Sequence, residues 1–129
     1  MPEPVVIQGW RPLSTSIGSN ARHQHWGVKT KVVRPIRKMV GCHLTWAGWR
    51  AGMLPERGRG WVIKFTAIQG GGGVFPDPGD NREGAFKIVR DAVCSFLQVP
   101  DDGNGPEFRY DWQRGKTACL IELVASGEG

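Results

Sequence analysis

The chain has 129 residues, 40% of them hydrophobic, a net charge of +5 and three cysteines, which suits one domain with a real core and leaves too little for two. No apolar run approaches the roughly 20 residues that cross a bilayer, and the first residues lack the basic-then-apolar pattern of a signal peptide, so a cytoplasmic protein with no membrane partner is expected. Cys42, Cys94 and Cys119 are odd in number, widely spaced and free of any Cys-x-x-Cys pair, which argues against a disulfide framework and a structural zinc site.

In chain order, Val5-Val6-Ile7 reads as a short strand closed by Gly9 and Pro12, and residues 12–20 read as a Ser/Thr/Gly loop. Asn20 is placed to cap a helix carrying Arg22, His25, Trp26, Lys29, Lys31, Val32 and Val33. Pro35 is expected to kink or interrupt that helix and Gly41 to stop it, with a loosely alternating strand over residues 42–49. Residues 50–60 form a basic loop with Arg50, Arg57 and Arg59. Residues 61–68, rich in β-branched and aromatic side chains, give the strongest strand signal. Gly70–Gly73 is a four-glycine run with no Gly-Lys-Ser/Thr after it, so a phosphate loop of the Walker type is excluded and a surface loop expected. A helix over residues 82–97 follows, then two strands, 108–112 and 117–124, joined around Gly115. This order predicts an α+β (α/β) single domain over residues 1–129 with one mixed sheet and two main helices.

Charge is divided unevenly. Residues 1–64 hold eleven Lys/Arg against two acids, a net +9, whereas residues 65–129 hold six against ten, a net −4. A basic half fits a phosphate-backbone partner. Acids gathered in the other half would repel that partner unless a cation neutralised them.

Those acids concentrate around the second helix: Asp77 and Asp80 before it, Asp91 within it, and Asp101-Asp102 just after it. At about 100° per residue, Ala85, Phe86, Val89, Ala92, Val93 and Phe96 form a buried stripe, while Asp80, Gly84, Lys87, Asp91 and Cys94 fall on the other side. Two or three carboxylates can hold Mg²⁺, which acidifies a water and stabilises a leaving oxygen, and a lysine can contact the phosphate. The same residues also admit a structural reading. Asp80 can cap the helix, Lys87 and Asp91 can be a surface i,i+4 pair, and Asp101-Asp102-Gly103 can be a turn. His23 and His25, two apart on a helix, point to different sides and do not make a metal pair. Of the six tryptophans, most are expected in packing, with one or two free to stack on unpaired bases.

Asp80-Asn81, Ala85, Lys87, Asp91-Ala92 and Asp101-Asp102 together resemble the RusA-like Holliday junction resolvases, particularly their phage and prophage members. The opening, with Pro12-Leu13-Ser14 and Asn20 through Trp26, is similar as well, as is the ending, where Phe108 to Gln113 and a glycine lead into a hydrophobic strand. The resemblance implies a homodimeric, Mg²⁺-dependent (or Mn²⁺-dependent) endonuclease that nicks four-way DNA junctions symmetrically. It implies metal ligation by Asp77, Asp80 and Asp102, catalytic roles for Lys87 and Asp91, and DNA contacts from Arg22, His25, Lys29, Lys31 and Arg34. One position departs from the family pattern: its first aspartate falls at Pro78, with Asp77 one residue early. A catalytically impaired protein that binds branched DNA on the same scaffold is therefore the alternative expectation.

Overall fold

A computed structural model describes residues 2–10, 26–70 and 82–127, leaving aside the side chains of 26–33 and 82–84. Within them the chain forms β1 (Val5–Gln8), α1 (Trp26–Trp46), β2 (Trp61–Gln69), α2 (Arg82–Leu97), β3 (Glu107–Arg114) and β4 (Ala118–Ala125). The four strands make one mixed sheet in the order β1-β4-β2-β3. β4 runs antiparallel to both β1 and β2, and β2 pairs with β3 in parallel. The expected α+β domain with one mixed sheet and two main helices is what forms.

Alternation decides which face of the sheet is buried. Val5 and Ile7 of β1, Ile63, Phe65 and Ala67 of β2, and Cys119, Ile121 and Leu123 of β4 point to one side. There they meet Val40 and Leu44 of α1 and Phe86, Val89, Val93 and Leu97 of α2 in a single core. Parallel strands need a crossover, and α2 supplies it between β2 and β3. An aromatic stack fastens α2 to the sheet: Phe86 lies 5.8 Å from Phe65, 5.4 Å from Tyr110 and 5.2 Å from Trp112, measured between ring centres.

Two expectations for the first half fail. α1 runs through both Pro35 and Gly41, and residues 42–46, expected in a strand, are its last turn. Pro35 faces solvent, where water can serve the carbonyl that the missing N–H leaves without a donor. At Gly41 the apolar spacing continues, since Val40 and Leu44 are both fully buried four residues apart. The helix ends instead at Gly48, whose φ is +90°. Trp49 N–H donates to Leu44 O (2.9 Å) and Gly48 N–H to Thr45 O (3.1 Å), the two bonds of a Schellman motif. The expected cap at Asn20 lies outside the described residues.

The last two strands do not pair with each other. β2 lies between them, and residues 115–117 carry the chain across its end, where Gly115 N–H donates to Gln69 O at 3.1 Å. None of the helices among the described residues is long and apolar enough to cross a membrane.

Candidate functional site

The site is built on α2 and on the way α2 ends. Val99 N–H donates to Cys94 O (3.1 Å) and Gln98 N–H to Ser95 O (3.4 Å), a second Schellman reversal, with Gln98 at φ +60° in place of the usual glycine. Pro100 cannot continue a helix, so the chain turns back and carries Asp101 alongside the helix it has just left.

There Asp101 meets Asp91. Asp91 sits on the turn of α2 after Lys87, and the Lys87 Nζ lies 3.3 Å from Asp91 Oδ2. Among the described residues the other oxygen, Oδ1, is buried and accepts no hydrogen bond, and the Asp101 carboxyl lies beside Asp91. Two ionised carboxylates cannot donate to each other, so an approach of this kind suits a shared proton, a bridging water or a cation. Burial raises the Asp91 carboxyl above the ordinary carboxylate range, Asp101 adds to that, and Lys87 works the other way. The Lys87 side chain is 40% exposed, which keeps the ion pair itself in the range of about 0–1 kcal/mol.

Asp102 stands apart from this group. It is exposed, and its Oδ1 accepts the Asn104 N–H at 3.1 Å in an Asx turn. That backbone bond, with help from Arg57, lowers its carboxyl below the ordinary value. Sequence could not separate the two neighbours, because the backbone reversal at Gln98 decides which of them faces α2. Cys94, expected on the open side of the helix, is only 4% exposed. Burial, and next the Asp101 charge, push its thiol up to about 12, which makes it an inert core residue. Arg90 is buried as well; its guanidinium donates to Tyr110 Oη at 3.0 Å and lies 5.5 Å from the centre of the Phe108 ring.

Asp77, Asp80, Arg22 and His25 lie outside the described residues. Lys29 and Lys31 fall on α1, whose side chains are described from Arg34 onward. Arg34 is exposed there, together with Arg37 and Lys38. From Trp26 to Trp46 the helix holds five Lys/Arg and no acid. Among the described residues no group of three or more His, Cys, Asp or Glu is arranged to hold a metal ion. Asp91 and Asp101 still suit Mg²⁺, which takes one or two protein carboxylates and fills its remaining positions with water and substrate phosphate.

No model of a known protein family matches the chain, and no curated protein matches it.

Proposed function

We propose that this protein is a Mg²⁺-dependent, structure-specific DNA endonuclease that resolves four-way junctions by paired nicks, acting as a homodimer in the manner of the RusA-like family it resembles. The observation that carries this reading is the meeting of Asp91 and Asp101 beside Lys87, with one Asp91 oxygen buried and accepting no hydrogen bond among the described residues. Asp91 and Asp101 would hold the metal, joined by Asp80 and Asp77 from the segment before α2, with Asp101 taking the place that the resemblance gives to Asp102. A bound Mg²⁺ supplies an acidified water and neutralises charge on the phosphate. Lys87, beside Asp91 on the same helix, would contact a phosphate oxygen or orient the water. The acid-free helix α1 grips the backbone through Lys29, Lys31, Arg34 and their neighbours.

Pro78, standing where the family has an aspartate, favours a second reading, a branched-DNA-binding protein whose metal site is impaired. The two readings separate when labelled four-way junction and matched linear duplex are incubated with the purified protein in Mg²⁺ or in EDTA. Paired symmetric nicks on the junction alone, only with Mg²⁺, are expected. Asp91→Asn and Asp80→Asn should then abolish cutting while keeping or tightening junction binding, because each removes a negative charge near DNA. Cutting by both variants at the wild-type rate would sink the nuclease reading. Tight junction binding without nicks in either buffer would establish the second.

A further inference from the structure

Trp46, the last residue of α1, is 76% exposed, whereas Trp49, three residues on, is 1% exposed with its indole N–H donating to Glu3 O at 2.7 Å. An indole left in water forgoes a large hydrophobic gain. Its setting gives it a use. The His43 ring lies 5.2 Å from it, tilted by 56°. That imidazole is itself fixed by donating Nδ1–H to Met39 O at 2.9 Å. Trp46 thus touches His43 in a tilted contact and otherwise presents an exposed apolar ring.

The charge around it selects the partner. Arg34, Arg37 and Lys38 line the exposed side of the same acid-free helix, and Arg50 is exposed just beyond it. At this end Glu3 is also held close, its backbone N–H bonded to Ala47 O at 3.0 Å. Cations on the helix that ends in an exposed indole fit a strand of DNA whose phosphates meet the cations and whose unpaired base lies on the ring. We propose that Trp46 is a stacking platform for an unpaired base, with Arg34 and Lys38, one turn apart on the same helix, meeting phosphates of the same strand. This rests on the nucleic-acid part of the function proposed above and is independent of cleavage.

The test is fluorescence anisotropy in EDTA, where no strand can be cut, with a labelled oligothymidine and a fully paired duplex of the same length. Trp46→Ala should bind the single strand about 5- to 150-fold more weakly, the range for one lost stacked base, and bind the duplex as the wild type does. Trp46→Phe should keep most of the affinity. A strand carrying 2-aminopurine provides a second readout: stacking should quench its fluorescence with the wild type and Trp46→Phe but not with Trp46→Ala. Equal losses on both DNAs, or no loss on either, would overturn the proposal, as would a wild-type protein that binds no single strand. Junction cleavage measured separately keeps the two ideas distinct. Unimpaired cutting with no Trp46 effect removes only the platform, and a Trp46 effect without cutting removes only the nuclease.

Discussion

Asp91 carries a pH dependence whose direction follows from its surroundings. Its carboxyl is raised above the ordinary value of 3.8 in the folded chain, burial being the main cause. Folding therefore meets no penalty at this residue below that ordinary value, where folded and unfolded chains are both protonated. As pH rises past it, the unfolded chain releases its proton first and stability falls, until the folded residue ionises and the penalty becomes constant. Asp91→Asn should accordingly melt higher than the wild type at neutral pH, with the advantage closing as pH drops below the ordinary carboxylate range. Thermal melts across that range check it, and an advantage that grew in acid would show that the Lys87 pair outweighs burial. Added Mg²⁺ should raise the wild-type midpoint and leave that of Asp91→Asn unchanged. A carboxylate that destabilises its own fold at working pH is the expected signature of one kept for binding rather than for packing.

The two helix ends show what could and could not be seen in advance among the elements. β1, β2 and α2 were legible because β-branched and aromatic residues mark the two strands and a 3.6-residue period runs through the helix. The second half of α1 was not. Pro35 and Gly41 are local stop signals, but solvent exposure of the first and the unbroken Val40–Leu44 spacing across the second override them. The site was legible to the same depth: Lys87 and Asp91 could be paired from their spacing, while the choice between Asp101 and Asp102 depended on a left-handed Gln98 that no sequence pattern announces. Two substitutions test this account. A Cβ at Gly41 would meet only Phe96 Cδ2 at an ordinary 3.8 Å, so Gly41→Ala should stabilise by about 0.5–1 kcal/mol. Gln98→Gly should gain about 1 kcal/mol by removing the left-handed penalty. Denaturant unfolding would measure both, and a loss at Gly41 would mean that the contact with Phe96 is tighter than its geometry indicates.

For the molecule as a whole, the asymmetry of charge becomes a prediction about salt. If α1 is the phosphate-gripping element, the logarithm of DNA affinity should fall linearly with the logarithm of salt concentration. Replacing Arg34, Arg37 and Lys38 together by alanine should flatten that line by roughly 2–3, close to one for each lost contact. An unchanged slope would move the interface away from this helix. The order of the sheet has a consequence of a different kind. β4, the last strand, lies between β1, the first, and β2, and its chain reaches that place by crossing the end of β2. Neither half of the sequence can therefore complete the sheet without the other. During synthesis β1 gains its sheet neighbour only once β4 has left the ribosome, and nearly the whole described chain is closed into a loop when the two pair. Such distant pairing makes folding slow and all-or-none. The pairing of Asp91 with Asp101 is local, within a helix and its own reversal, yet the surface that supports it exists only once both ends of the fold have met.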